Sequence, residues 1–200
     1  GGGASAAEAA DDSGVMCIAS SVCEPGLEEI AASSKAPKIY QLYVRGDDNW
    51  VDDIINRVTA AGYCGFCLTV DTAVVSRRER DIAKRTAPTS QQPADGMQFQ
   101  AGLSWATVER IKKTFDIPLM LKGISHVEDA KKAVDLGVDV IYVSNHGGRQ
   151  LDQGVGSMKL LPEIVAAVDG RAEIVVDGGF YRGSDIVKAM ALGANGVGIG

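Results

Sequence analysis

Histidine is scarce in this 200-residue sequence: there are two, His126 and His146. If imidazole chemistry occurs at the end of the apolar run Val140-Ile141-Tyr142-Val143, His146 is the residue that performs it. Cysteine is also sparse, with four in all, and the single C-x-x-C, Cys64-Gly65-Phe66-Cys67, has no second such pair or histidine pair to complete a zinc site. Phe66 to Val70 reads as a strand, so the helix dipole that would activate a C-x-x-C thiol is missing and reduced, structural cysteines are expected. No apolar run approaches the roughly 20 residues of a membrane span. The start, Gly1-Gly2-Gly3-Ala4, is not the basic-then-apolar pattern of a secretory signal, so a cytoplasmic protein is expected. Basic excess is lacking too. A net charge of -6 and a pI near 4.9 argue against a nucleic-acid partner, with Arg77, Arg78, Arg80, Lys84 and Arg85 as a local exception. Six prolines and 46% hydrophobic residues exclude compositional disorder. Residues 1–200 read as one globular domain, or part of one.

What is present is an alternation. Residues 3–12 are alanine-rich and helix-prone, and 15–20 read as a buried strand. A short helix over 25–32 carries Pro25 in its first turn. A strand at 39–44 is followed by an amphipathic helix over 48–61 that Gly62 closes. A third strand covers 66–71. From 72 to 101 the sequence is charged, then rich in Pro, Gln and Gly without apolar period, and a mobile loop is expected there. Ser104 caps a helix to Phe115; 118–123 is a strand; Ser125-His126-Val127-Glu128 is a capping box opening a helix to Leu136. Strands at 140–145, 173–179 and 196–200 alternate with helices near 158–168 and 184–192.

Seven apolar strands separated by helix-type sequence predict right-handed βαβ units and a parallel sheet. Polar residues gather at or just past the strand ends: Ser20, Gln41, Tyr43, Thr69, Asp71, Lys122, Ser144, His146, Arg149, Asp177 and Gly200. A (β/α)8 TIM barrel places its site there, drawing on every strand. A doubly wound sheet would collect polar groups at one switch point instead. Such barrels run to roughly 250 residues, so the expectation is an α/β TIM barrel lacking its first strand and last helix in this chain.

The stretch Ser144-Asn145-His146-Gly147-Gly148-Arg149-Gln150-Leu151-Asp152, with Gln41-Leu42-Tyr43, Leu68-Thr69-Val70-Asp71-Thr72 and Leu121-Lys122-Gly123, closely resembles the FMN-dependent α-hydroxy acid oxidase and dehydrogenase family, which includes glycolate oxidase, lactate oxidase and mandelate dehydrogenase. The resemblance covers most of the chain, and the histidine motif is highly specific. It implies oxidation of a 2-hydroxy acid to a 2-keto acid, with FMN as cofactor and oxygen or another acceptor taking the electrons. That chemistry needs a cation for the carboxylate, a base and a flavin.

By the resemblance His146 is the base and Asp71 the carboxylate that pairs with its imidazolium. Arg149 and Arg78 hold the substrate carboxylate, for which a planar guanidinium fork is suited, and Tyr43 contacts the substrate. Ser20, Gln41, Thr69 and Ser144 match flavin-ring positions. Lys122 matches the lysine near the flavin N1 and C2 oxygen, where a cation stabilises the charge of the reduced ring. Asp177, Gly178, Gly179 and Gly200 match the ribityl and phosphate end, where bare backbone N–H groups suit an anion. The sequence departs from the family at Tyr181, where an arginine is usual, with Arg182 beside it as the substitute, and at Val22, where glycolate oxidase has a tryptophan. A homotetramer is implied as well. Two other readings stay open at this point: another FMN barrel, such as a flavin-dependent isomerase, and a non-catalytic barrel fragment.

Overall fold

Alternation inside the strands decides which way each side chain faces. In β3 (Gly65–Thr69), Phe66 and Leu68 face one side and Cys67 the other; Leu119 and Leu121 oppose Met120 in β4 (Leu119–Ile124), and Ile141 and Val143 oppose Tyr142 in β5 (Val140–Val143). The first set joins the main hydrophobic core under the helices, while Ile39, Cys67, Met120 and Tyr142 form a smaller cluster on the opposite face. Apolar side chains on both faces are the mark of parallel strands covered on both sides. The computed structural model describes residues 2–74, 79–85, 98–151 and 153–200. Arg78, Asp152 and most of the expected loop over 72–101 therefore lie outside the described residues.

The remaining strands are β1 (Cys17–Ser20), β2 (Lys38–Leu42), β6 (Glu173–Asp177) and β7 (Gly196–Gly198). The seven strands of the described residues are all parallel and lie in the order of the chain. The helices are α1 (Gly3–Asp12), α2 (Leu27–Ser33), α3 (Asp48–Ala60), α4 (Glu79–Lys84), α5 (Gln98–Ala101), α6 (Trp105–Thr114), α7 (Val127–Asp135), α8 (Ser157–Val168) and α9 (Gly183–Ala191). The sheet curls, so that residues of β1 and of β7 line a common cleft of about 1240 Å³. This is the expected α/β architecture, a (β/α)8 barrel represented by seven of its eight strands.

α3 shows how the helix layer is built. Val51, Ile54, Ile55 and Val58 repeat at helical spacing, all are buried, and Asp47 caps the first turn by accepting from the Trp50 N–H at 3.0 Å. Burying one such side chain contributes on the order of 1.5–3 kcal/mol, and the layer repeats around the sheet.

Several local expectations need correction. Pro25 is not in the first turn of α2, which begins at Leu27 after Gly26. Ser125 is not the cap of α7: His126 is, its Nδ1 accepting from the Glu128 N–H at 3.4 Å. Ser104 does precede α6, yet its hydroxyl makes no bond to the helix backbone. The 72–101 stretch was expected to hold no regular structure, but α4 and α5 lie within it, α5 drawn in by the burial of Gln100. Among the described residues no helix is long and apolar enough to cross a membrane.

Candidate active site

Strand register sets the polar rows at the mouth of the cleft. Ser20 lies beside Gln41, Thr69 beside Lys122, and Asp177 beside Gly198. Ser20 Oγ donates to Gln41 Oε1 at 2.7 Å, and Gln41 Nε2 donates to Thr69 Oγ1 at 2.6 Å, so the ends of β1, β2 and β3 are tied by one chain of side-chain bonds. Gln41 and Thr69 are buried, and each such bond satisfies a polar atom that would otherwise cost on the order of 1–3 kcal/mol.

The second row centres on Lys122. Its Nζ donates to Ser144 Oγ at 3.2 Å and lies 3.5 Å from Asp177 Oδ2. Ser144 Oγ also accepts from the His146 backbone N–H at 3.1 Å, so the buried serine links the lysine to the loop that carries the histidine. Asp177 Oδ1 is buried with no hydrogen-bond partner among the described residues. Beneath the pair, Tyr142 places its ring 5.3 Å from the ammonium. The Tyr142 phenol is pushed well above its ordinary range by burial and by the nearby Asp177 charge.

His146 stands between two partners. Its Nδ1 is 3.0 Å from Asp71 Oδ1 and its Nε2 is 3.3 Å from the Tyr43 hydroxyl. A carboxylate accepts only, so Nδ1 carries the proton and Nε2 presents its lone pair toward Tyr43. Side chains of both His146 and Asp71 are largely shielded, at 17% and 14% exposure. Asp71 is set in place by a close approach: a Cβ on Gly123, whose φ is +109, would lie 2.5 Å from Asp71 Cβ, so only a residue without one fits there. Asp71 Oδ2 and Thr72 Oγ1 are buried without partners among the described residues.

The other expected residues spread around this centre. Arg149 is exposed and lines the cleft with His146 and Gly147. Gly178, Gly179 and Gly200 line the far side, and a side chain at Gly179 or Gly200 would meet nothing within 4 Å, so that wall is open backbone. Arg182 is not brought into the cleft. It is the exposed N-cap of α9, and the backbone N–H groups of Tyr181 and Arg182 are both taken by Asp185 Oδ2, at 3.3 and 3.1 Å. Cys67 is fully buried inside the sheet and its thiol is pushed up to about 12, chiefly by burial, consistent with an inert structural cysteine.

Two residues escaped sequence reasoning. Tyr142 read as one member of an apolar strand run, although the glycine-alternating Gly196-Val197-Gly198-Ile199-Gly200 signals a bare strand face against which a large side chain can lie. Gln100 sits in the polar stretch, where nothing marked it. Its Oε1 accepts from the Val44 N–H at 2.7 Å and its Nε2 donates to the Thr69 carbonyl at 2.8 Å.

The sequence pattern of the FMN-dependent dehydrogenase family matches residues 1–200. An L-lactate oxidase of Nostoc sp. is 39% identical over 97% of the chain, which spans 60% of that relative. A solved mandelate oxidase with (S)-2-phenylpropionate superposes with a TM-score of 0.88 at 40% identity, over 99% of this chain and 59% of the other. A mandelate oxidase variant with a monooxide FMN adduct superposes with a TM-score of 0.86 at 39% identity, again over 99% and 59%. The chain thus spans about three fifths of the length of the relatives it matches.

Proposed function

The chain belongs to the FMN-dependent dehydrogenase family, and from that premise we propose that it contributes the catalytic core of an enzyme that oxidises a 2-hydroxy acid to the 2-keto acid. The observation that carries the proposal is the position of His146. Asp71 fixes its Nδ1 proton, and Nε2 faces outward beside a phenol.

The residues at the mouth fit a flavin. The Ser20, Gln41 and Thr69 row offers donors and acceptors to a heteroaromatic edge, and Lys122 supplies a cation at the next strand. The orphaned Asp177 Oδ1 is an acceptor for a ribityl hydroxyl. The open backbone at Gly179 and Gly200, with Gly178 lining the same cleft, accepts a bulky phosphate end, and the exposed Arg182 is the candidate cation of that stretch, although it does not line the cleft. When bound, FMN supplies the two-electron acceptor.

The protein's own part is then acid–base and electrostatic. Arg149, with Arg78 from outside the described residues, grips the substrate carboxylate through planar guanidinium groups. Tyr43 positions the substrate hydroxyl beside Nε2. His146 removes a proton at Nε2, and Asp71 stabilises the imidazolium formed. Lys122 holds positive charge where negative charge collects on reduction. The same reading carries oxygen or another acceptor as the final oxidant, and a cytoplasmic homotetramer as the assembly.

The test is His146→Gln. The variant should keep a flavin spectrum while anaerobic reduction by lactate, glycolate or mandelate slows on the order of 10²–10⁴-fold, the usual worth of a general base. Reduction at the parent rate would remove His146 from the role.

A further inference from the structure

Lys122 is held in an unusual way for a shielded ammonium. Only 16% of its side chain is exposed, and a charge so placed is ordinarily paired at 2.7–2.9 Å. Its distance to Asp177 Oδ2 is instead 3.5 Å, although both side chains sit on the same wall of the cleft. Something keeps the two charges from closing.

Tyr142 lies beneath the ammonium and restrains it from that side. It lies on β5, between the strands of Lys122 and Asp177, and in register with Lys122. The face of its ring meets the ammonium, 5.3 Å from the ring centroid, and its phenol feels the nearby Asp177 charge. The tyrosine is 4% exposed, so its position is fixed by its surroundings. Room for it comes from β7: a Cβ on Gly198 would overlap the Tyr142 hydroxyl and lie 2.9 Å from Cζ. The tyrosine and the glycine are thus a matched pair across two strands, and the phenol, kept protonated by burial and by Asp177, adds no charge of its own.

We infer that Tyr142, seated in the slot that Gly198 leaves, is a positioning residue for Lys122. It holds the lysine off Asp177 so that the ammonium keeps a donor directed into the cleft, and in this way it sets the reduction potential of the bound flavin. The inference rests on the reading that the cleft takes FMN. Removing the ring lets Lys122 close on Asp177; its charge is then spent on the carboxylate, and the reduced, anionic flavin loses stabilisation.

Four variants, Tyr142→Phe, Tyr142→Leu, Gly198→Ala and Met120→Leu, test this in the purified protein by FMN titration and by the potential of the bound flavin. Tyr142→Leu should shift the two-electron reduction equilibrium about tenfold toward the oxidised form, a fall of roughly 30 mV. Gly198→Ala, which leaves every polar group intact but fills the slot, should reproduce that fall. Tyr142→Phe should shift the potential less, because the ring remains. Met120→Leu, in the same inner layer, should leave it unmoved. The Tyr142→Leu, Gly198→Ala double variant should show no more than the single shift, since both act on one contact. A parent protein that binds FMN, with an unchanged potential in Tyr142→Leu and Gly198→Ala, overturns the inference and leaves the flavin reading intact. A parent protein that takes up no FMN overturns the flavin reading and the inference with it. If Tyr142→Leu fails to fold, Gly198→Ala and Tyr142→Phe decide: a fall in the first that exceeds that in the second supports the spacer, and its absence removes it.

Discussion

His146 adopts φ +56, a left-handed conformation that costs a non-glycine residue on the order of 1–3 kcal/mol. Three contacts hold it there: its N–H to Ser144 Oγ, Nδ1 to Asp71 and Nε2 to Tyr43. Of these, Asp71 alone selects the tautomer. Replacing it by asparagine preserves size but lets an amide N–H face Nδ1, which puts the histidine proton on Nε2 and leaves no lone pair there for the proposed base. Asp71→Asn is expected to slow flavin reduction by about 10²-fold or more while the denaturation midpoint moves little, and stopped-flow reduction beside a urea melt reads both. A reduction rate close to the parent's would mean that tautomer selection is done elsewhere. His146 and Asp71 were legible in the sequence because each is embedded in a run of specific neighbours. Tyr142 was not, because its role depends on a glycine in a distant strand and on the space that glycine leaves, and neither residue alone announces it.

At the level of elements, the strands were legible as apolar runs and the helices from their spacing, since burial on a repeating layer leaves a periodic trace. The short helix α5 left none. It is four residues long and lies beside a polar stretch, anchored by the buried Gln100 with Phe99 packed against the core. Gln100 bonds the Val44 N–H and the Thr69 carbonyl, thereby clamping the ends of β2 and β3 from which Tyr43 and Asp71 project. A leucine there would fit the volume but strip two buried backbone groups of their partners, at roughly 1–3 kcal/mol for each. Gln100→Leu is therefore expected to lower stability by about 2–6 kcal/mol in chemical denaturation. A loss under about 0.5 kcal/mol, typical of a surface change, would show that the backbone groups find other partners. The caps were legible only in part, because Ser125 is the favoured residue type for an N-cap and yet the local backbone puts His126 in that position.

On the scale of the whole molecule, two strands of the sheet, β1 and β7, have a single neighbour each among the described residues. Exposed apolar side chains gather near both. Val15, Met16 and Ile18 on the β1 side and Ile199 on the β7 side line the same cleft, and Val187 and Met190 of α9 and its C-cap Leu192 are exposed as well. Val187 and Ile199 are 67% and 71% exposed. An unpaired parallel edge beside such a surface is a template for a further strand, and apolar area left in water drives association. The 200-residue polypeptide is accordingly expected to self-associate, with a light-scattering mass above the 20.9 kDa of one chain at micromolar concentration. Charging the seam with Val187→Lys and Ile199→Lys together should shift that mass toward the single chain without altering the far-UV spectrum, because neither side chain belongs to the buried core. A parent polypeptide that stays at the mass of one chain would show that the seam is too poorly matched to pair with itself. A mass that the two lysines leave unchanged would locate the association on another face.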